Sequence, residues 1–280
     1  MHLFVFGMGY SAAVLADRLR ARGWRVEGTG RGGTIGFDDR DAVFAALARA
    51  SHVLSSVPPL REGGDPVLRH YAEALRACGA AWIGYLSSTG VYGDTGGAWV
   101  DETASIGLGR RSARSAADLA WQNLDPRVRV FRLPGIYGPG RSAFDRLREG
   151  SARRLIAPGQ VFSRIHVADI AGGVIAGMAG PPGVYNLADD EPCHPNAVIE
   201  AAAHLLGLPP PPSQSLDEAA LSPMARAFYA ENRRVANGRA RRVLGWRPRF
   251  ATYREGLRGI LQAPNPDSDD DPCVAVRPRS

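Results

Sequence analysis

Short apolar runs alternate with amphipathic segments from the first residues to about residue 178. The run His2–Phe6 stops at Gly7, and apolar residues then recur at helical spacing from Tyr10 to Arg22. The same order repeats further along, and the pattern predicts strands over 24–29, 52–57, 81–87 and 128–133 and helices over 39–49, 66–78, 112–123 and 168–178. This alternation predicts an α/β fold, with a doubly wound parallel sheet that is covered by helices on both faces.

The character of the sequence changes after about residue 180. Proline pairs and the proline run at 209–212 separate shorter helical patterns, notably Pro195 to Leu206 and an Arg-rich stretch over 216–261. We predict one domain over 1–180 and a smaller C-terminal lobe over 181–262, with some segments crossing between the two. Pro, Asp and Ser dominate residues 263–280, so we expect a disordered tail there.

The basic residues exclude a group of reactions. All 34 of them are arginine, and the chain contains no lysine. Chemistry that needs a side-chain amine is therefore excluded, which covers Schiff-base catalysis, a phosphate-loop lysine and proton transfer by a tyrosine–lysine pair.

Charge and cysteine content narrow the class of protein further. The net charge of +6 is spread along the chain, which gives little support to nucleic-acid binding, so we expect a small-molecule substrate. A positive field would also attract a phosphorylated cofactor or an acidic substrate. Cys78, Cys193 and Cys273 lie far apart, so we expect no disulfide framework, no metal site and a cytoplasmic location. We predict neither a signal segment nor a membrane span, and the sequence leaves the oligomeric state open.

A glycine-rich turn follows the first predicted strand. Gly7, Gly9 and Ala12 fill the three positions of G-x-G-x-x-[GA], between a strand and a helix. Gly7 permits a tight turn, Gly9 lets the backbone approach a pyrophosphate, and the small Ala12 allows the helix to pack closely on the strand. The pattern is typical of a Rossmann dinucleotide site, with the phosphates at the helix N-terminus. We expect every residue of this glycine turn to contact the cofactor: Gly7, Met8, Gly9, Tyr10, Ser11 and Ala12.

The end of the second strand bears on the choice between NADP and NAD. An acidic residue about 20 residues after the turn would hold the ribose 2′-hydroxyl of NAD. This chain has Gly28-Thr29-Gly30-Arg31 there, and Glu27 lies too early, inside the strand pattern. Thr29 and Arg31 are suited to a 2′-phosphate, so we expect NADP, with NAD as the alternative. An arginine in a surface loop without a ligand would give the same pattern.

Four motifs occur in order along the chain: YLSSTGVYGD (85–94), FRLPGIYGPG (131–140), RIHVADIA (164–171) and VYNLADDEP (184–192). Together they resemble the extended short-chain dehydrogenase/reductase superfamily, specifically its NAD(P)-dependent epimerase/dehydratase branch. The resemblance covers nearly all of residues 1–262. It implies a Rossmann domain with a smaller substrate lobe, and it implies that Ser88, with Thr89 as the alternative, hydrogen-bonds a substrate oxygen.

The proton-transfer pair of this family is expected to be missing here. Family members carry a Tyr and, four residues later, a Lys on the helix after that strand. Counting back from Ala117-Asp118 places these positions on Arg110 and Arg114. Arginine keeps its proton near pH 7, so neither residue can shuttle one. The two arginines share a helix face, where they either clamp a carboxylate or phosphate or are ordinary exposed residues.

Other residues of these motifs are expected near the nicotinamide. Four at strand ends are expected to line the cofactor: Val57, Pro58, Pro134 and Gly135. Tyr92 and Tyr137 are the tyrosines considered as replacement acids, although packing roles are favoured for both. His166 is interpreted as a structural histidine.

Two functions remain open from the sequence. The first is an NADP-dependent reductase, epimerase or dehydratase that acts on a sugar-like or carbonyl substrate with a non-standard proton donor. The second is a nucleotide-binding sensor or scaffold without turnover. The segment 88–94 and the complete substrate lobe favour the enzyme, whereas the missing Tyr and Lys favour the sensor.

Overall fold

The computed structural model of the protein describes residues 1–107, 112–219, 221, 226 and 229–262. Its strands are β1 (His2–Phe6), β2 (Arg25–Gly28), β3 (His52–Ser55), β4 (Trp82–Ser88), β5 (Trp99–Val100), β6 (Val128–Leu133), β7 (Gly135–Tyr137), β8 (Arg154–Leu155), β9 (Arg164–His166), β10 (Gly183–Asn186), β11 (Ser213–Gln214) and β12 (Arg234–Val235). Its helices are α1 (Tyr10–Arg20), α2 (Arg40–Arg49), α3 (Pro66–Ala77), α4 (Ser112–Gln122), α5 (Ala143–Arg148), α6 (Val167–Ala179), α7 (Pro195–Leu205), α8 (Gly238–Leu244) and α9 (Tyr253–Gln262), and a 3₁₀ turn spans Thr89–Tyr92.

Six strands form the main sheet in the order β10-β6-β4-β3-β1-β2, and every adjacent pair is parallel. The α/β prediction with a doubly wound parallel sheet is therefore confirmed. The central strands are buried on both faces, as β1 and β6 show at every residue. This explains why β1 appears in the sequence as a nearly continuous apolar run instead of an alternating pattern.

Two apolar cores lie on opposite faces of the sheet. Alternate residues of β1 point to each side, so Leu3 contributes to the core beneath α1 and α6, whereas Phe4 contributes to the core beneath α2 and α3. The face with Phe4 is rich in aromatic rings, and Tyr85 stacks on Trp121 of α4 with ring centroids 5.0 Å apart.

The helix starts follow the capping residues in the sequence. The side chain of Asp39 accepts a hydrogen bond from the Ala42 amide, and that of Asp65 accepts from the amides of Val67 and Leu68. The helices predicted to end at residues 22 and 78 end two residues and one residue earlier, at Arg20 and Ala77, because Gly23 has a left-handed φ of 78° and Cys78 is already extended. Capping signals mark starts more sharply than ends in this chain.

A second lobe is built mainly from α5, α7 and α9, with a small core that includes Phe144, Ala202 and Leu257. Strand β10 follows the expected boundary at residue 180, and yet it pairs with β6 in the main sheet. Conversely, α5 precedes that boundary and packs with α7. Segments on both sides of residue 180 therefore contribute to the main sheet and to the second lobe. In the part of the chain that the structure describes, no helix is long and apolar enough to cross a membrane, and the expected tail over 263–280 lies outside that part.

Candidate functional site

A cleft opens where the parallel strands of the main sheet end. It has a volume of about 910 Å³ and lies against the carboxyl ends of β4 and β6. Open α/β sheets bind ligands at this edge, since the loops that follow the strands converge there. Its lining comes from the glycine turn, from the ends of β3, β4 and β6, and from the second lobe together with residues 229–235.

The glycine turn has the strained geometry that its sequence predicts. Gly7 has a φ of 82°, and a Cβ atom built on it would lie 2.9 Å from Cγ2 of Val57. Its amide donates to Oγ1 of Thr29 at 3.1 Å, and its carbonyl accepts from the hydroxyl of Ser56. Only glycine combines this φ with so close a neighbour, so Gly7 fixes the path of the chain into α1.

The start of α1 fits a phosphate group. Gly9 is the N-cap, and no side chain caps the helix there. A Cβ atom on Gly9 would approach only the carbonyl oxygen of Gly7, at 4.0 Å, so the missing side chain leaves open space beside the helix N-terminus. Gly9, Tyr10 and Ser11 line the cleft, whereas Ala12 is fully buried against the sheet and Met8 is 4% exposed. Uncapped amides beside an open space suit an anion.

Tyr10 connects the glycine turn to the loop after β7. Its hydroxyl donates to the carbonyl of Pro139 at 2.9 Å, and the guanidinium of Arg141 lies over its ring, 5.8 Å from the centroid. Burial raises the pKa of Tyr10 to about 12, although Arg141 opposes the shift. The phenol therefore stays protonated at neutral pH.

The two residues expected at a 2′-phosphate differ in their surroundings. Thr29 is 1% exposed, and its hydroxyl already accepts from the Gly7 amide. Arg31 is exposed, and its side chain has no hydrogen bond or ion pair with any residue described. Glu27 is engaged with Arg25 and Arg49. The expectation of a 2′-phosphate contact therefore rests on Arg31 alone, and Thr29 holds the turn together.

Ser88 ends β4 inside the cleft. Its Oγ accepts a hydrogen bond from the amide of Gly90 at 3.1 Å, which caps the 3₁₀ turn. A hydroxyl that accepts in this way keeps its own proton free to donate, and the cleft lies beside it. Thr89 also lines the cleft but is 4% exposed. Ser88 therefore has the geometry to polarise a ligand oxygen.

A buried polar network lies behind Ser88. The carboxylate of Asp118 accepts from Ser87 Oγ at 2.5 Å, from Gln122 Nε2 at 2.6 Å and from Arg132 Nη2 at 2.8 Å. Arg132 also donates to the hydroxyl of Tyr92, which donates in turn to Asn186 Oδ1 at 2.7 Å. This network joins β4, α4, β6 and β10. Tyr92 is 1% exposed and outside the cleft lining, which fits its favoured packing role.

The two arginines expected in place of the Tyr–Lys pair can be placed only in part. Arg110 lies outside the described residues. Arg114, on the first turn of α4, lines the cleft, and its charge lowers the pKa of the Asp65 carboxyl against the larger raising effect of burial. Arg114 thus presents a positive charge to the cleft.

Some of the other residues predicted to lie near the nicotinamide line the cleft, and others do not. Pro58, Pro134 and Gly135 line the cleft, whereas Val57 packs against Gly7 behind it. Tyr137 lines the cleft, but its hydroxyl is buried against Gly256 of α9, and burial raises its pKa, so the hydroxyl does not present an acid to the cleft.

His166 is buried at the end of β9, 5 % exposed. Its Nδ1 accepts from the Ala168 amide at 3.2 Å and so caps α6, and its ring packs edge-on against Tyr137 and Phe250. Burial lowers the pKa of His166 to about 4. The ring is neutral at pH 7, which supports the structural interpretation. Among the described residues, no group of His, Cys, Asp and Glu is arranged to hold a metal ion.

Sequence reasoning missed the charged wall of the second lobe. Five arginines line that side of the cleft: Arg141, Arg146, Arg153, Arg164 and Arg233. Only Arg233 forms an ion pair with a described carboxylate, that of Glu231 at 2.9 Å. Arg164 begins the motif RIHVADIA, so the signal was present, but its orientation toward a cleft depends on the fold.

A buried carboxyl group was also missed. Asp189, in the motif VYNLADDEP, is 1% exposed, and neither of its oxygens has a hydrogen-bond partner among the described residues. Burial raises the pKa of Asp189 to about 8, although the charge of Arg164 opposes the shift. The carboxyl is therefore largely protonated at neutral pH.

No protein-family model matches this chain, but known proteins are similar to it. A curated relative from Streptomyces sp., named 3-diazoavenalumate denitrifying reductase, is 28% identical over 260 residues, covering 78% of this chain and 83% of the relative. A solved structure described as a functionally unknown conserved protein from Silicibacter pomeroyi DSS is 46% identical, covers 93% of this chain and 98% of its own, and has a TM-score of 0.83. The human epimerase family protein SDR39U1 (isoform 2), solved with NADPH, is 18% identical and shares the fold, with a TM-score of 0.74. The match covers 94% of this chain and 100% of the human protein.

Proposed function

We propose that this chain is a member of the extended short-chain dehydrogenase/reductase superfamily, in its NAD(P)-dependent epimerase/dehydratase branch, whose fold it shares, and that it is an oxidoreductase that binds NADP(H) and acts on a small carbonyl or sugar-like substrate. Its proton donor differs from the tyrosine that the family uses. The name of the Streptomyces relative describes a reductase, which favours net hydride transfer over epimerisation.

One observation carries the proposal: a single cleft contains the open N-terminus of α1, the hydroxyl of Ser88 and the arginine-lined wall of the second lobe. The N-terminus of α1 fits the pyrophosphate of a cofactor, and the arginine-lined wall fits a charged substrate. The hydroxyl of Ser88 lies in the same cleft and is available to the reacting group of the substrate. A cofactor and a substrate bound in the same cleft would be held close enough to react.

Ser88 and Arg114 have separate roles in the proposed reduction. Bound NADPH would supply the hydride. Ser88 donates its free hydroxyl proton as a hydrogen bond to the substrate oxygen and so polarises it, while the Gly90 amide fixes the orientation of that hydroxyl. Arg114 supplies a positive charge that stabilises negative charge on the same oxygen. The proton that completes a reduction comes from solvent in the cleft, since arginine does not release its own.

A non-catalytic NADP(H) sensor is the second candidate, and the absence of lysine from the whole sequence favours it. The two candidates differ in turnover. Purified protein with NADPH would be screened against small ketones, keto acids and nucleotide sugars, with loss of NADPH absorbance as the readout. The enzyme predicts oxidation of NADPH by at least one class, whereas tight NADPH binding with no turnover in any class would identify a sensor.

The preference for NADP is tested at Arg31. Charge-assisted hydrogen bonds from Arg31 to the 2′-phosphate predict that Arg31→Ala weakens NADPH binding by about 1.5–3 kcal/mol, or about 10- to 150-fold, and leaves NADH binding nearly unchanged. Titration of each nucleotide by its fluorescence measures both affinities.

Arg22 provides the matched control for this titration. It is also exposed and has no side-chain partner among the residues described, but it follows the C-terminal end of the eleven-residue helix α1, about 16 Å from the glycine turn. Arg22→Ala is expected to leave both affinities unchanged. An equal loss for NADPH and NADH in Arg31→Ala, or a wild-type protein that prefers NADH, would refute the assignment.

A further inference from the structure

Arg164 presents a buried positive charge to the cleft. It is 9% exposed, its Nη1 donates to Sγ of Cys193 at 2.9 Å, and its guanidinium lies 5.7 Å from the ring centroid of Tyr253. It forms no ion pair with a described carboxylate. The nearby Asp189 is largely protonated at neutral pH, since burial raises its pKa to about 8, and so it leaves the charge of Arg164 uncompensated. A buried cation in this state is unfavourable unless a ligand supplies the counter-charge.

Arg146 presents a second charge to the same part of the cleft. Its guanidinium makes no hydrogen bond or ion pair within the described ranges, although it lines the cleft and is accessible from it. The adjacent Asp145 is engaged elsewhere, because its carboxylate accepts from the amide and the hydroxyl of Ser142. Burial lowers the pKa of Arg146 and the charge of Arg164 lowers it further, while Tyr229 and Asp145 oppose the shift, so the two guanidinium groups lie within electrostatic range of each other.

Two like charges that form no ion pair with a carboxylate of the described residues favour the binding of an anion between them. Each guanidinium offers a planar fork of N–H donors that matches two oxygens of a carboxylate or a phosphate. An oxyanion between Arg146 and Arg164 would remove their repulsion and satisfy their free donors at the same time. The site is thus built for an oxyanion.

Apolar residues also line the cleft, besides the charged residues of the second-lobe wall. Phe162, Val198, Ile199 and Leu257 line it together with the ring of Tyr229, which meets Phe162 edge-on with centroids 5.5 Å apart. An apolar wall favours a ligand with an apolar or aromatic body, because burial of that body releases water from both surfaces. The ligand therefore combines an oxyanion with an apolar group.

We propose that the substrate is a small organic acid whose carboxylate binds between Arg146 and Arg164 and whose apolar body packs on Phe162 and Ile199. The inference rests on the proposed function in treating this side of the cleft as the substrate side. The phosphates of a nucleotide sugar carry the same oxyanion chemistry. The volume of about 910 Å³ favours the smaller ligand, because it must also hold the nicotinamide end of the cofactor and falls within the range of a pocket for one drug-sized molecule.

The test is calorimetric titration with four phenyl-substituted acids of increasing chain length, namely benzoate, phenylacetate, phenylpropionate and phenylbutyrate, and with their uncharged amides. Each is titrated with and without saturating NADPH. At least one acid is expected to bind about tenfold or more tightly than its amide, and Arg146→Gln is expected to abolish that preference while leaving amide binding unchanged.

Arg148→Gln is the matched control on the same helix. Arg148 is exposed, lies over the ring of Phe144 and does not line the cleft, so the preference for the acid should survive in this variant. Equal binding of acids and amides, or an unchanged preference in Arg146→Gln, would overturn the inference. Tighter binding of inorganic phosphate or of UDP-glucose than of every acid would also overturn it. Acid binding that depends on Arg146 in a protein that fails to bind NADPH would contradict only the proposed cofactor and would uphold the inference.

Discussion

Replacing Asp118 by alanine is expected to lower the free energy of unfolding by about 3–5 kcal/mol. Asp118 is fully buried, and the side chain of its partner Arg132 is 3% exposed, so the substitution leaves a charge inside the protein without its counter-ion. The same change removes the acceptor for Ser87 and Gln122. Denaturant unfolding of the wild type and of Asp118→Ala measures the difference in free energy of unfolding, provided that this free energy has the same dependence on denaturant concentration in both proteins.

Two further variants separate the buried pair from a general effect of removing a carboxylate. Asp17→Ala breaks the exposed Asp17–Arg20 pair, whose side chains are 77% and 45% exposed, and should change stability by less than about 1 kcal/mol. Asp118→Leu combined with Arg132→Met replaces both buried charges by apolar groups and should recover most of the loss. A loss of similar size in Asp17→Ala, or a double variant no more stable than Asp118→Ala, would show that the buried charge is not the cause.

Asp189→Asn is expected to gain stability relative to the wild type as the pH rises. Burial raises the pKa of Asp189 to about 8 in the folded protein, whereas an unfolded aspartate titrates near about 3.9. Between these values the folded wild type holds one more proton than the unfolded chain. Its stability therefore falls with increasing pH through this window, by about 1.4 kcal/mol per pH unit, and the loss is complete above about pH 8. Asparagine does not titrate and lacks this dependence.

The quantity compared is the difference in free energy of unfolding between Asp189→Asn and the wild type at each pH. Buried His166, with its pKa lowered to about 4, destabilises both proteins as the pH falls below about 6.5, so its contribution cancels. From pH 5 to pH 7 the difference should grow by about 2.5 kcal/mol in favour of Asp189→Asn. Parallel stability curves across this range would show that Asp189 ionises normally.

The sequence predicts the sheet and the glycine turn well because both depend on local chemistry. A strand buried on both faces is mostly apolar, as His2–Phe6 is, and the φ of 82° at Gly7 is open mainly to glycine. The cap residues Asp39 and Asp65 mark helix starts for the same reason, since their side chains bond amides within three residues.

The remaining features of the site depend on contacts between distant segments. Arg146 and Arg164 come from α5 and β9, and only the folded chain shows that both line one cleft and that neither forms an ion pair with a described carboxylate. The burial of Asp189 is set by neighbouring segments that its own motif does not reveal. Thr29 also depends on such contacts. Its position in the sequence suggests a phosphate contact, whereas its hydrogen bond with the Gly7 amide appears only when β2 pairs with β1.

A crystal structure of the protein grown with NADPH tests the central claim most directly. The account predicts the pyrophosphate at the N-terminus of α1 beside Gly9 and Ser11, the 2′-phosphate within hydrogen-bond distance of Arg31, and the nicotinamide ring beside Ser88. A dinucleotide bound away from the glycine turn, or no bound dinucleotide at a saturating concentration of NADPH, would contradict it.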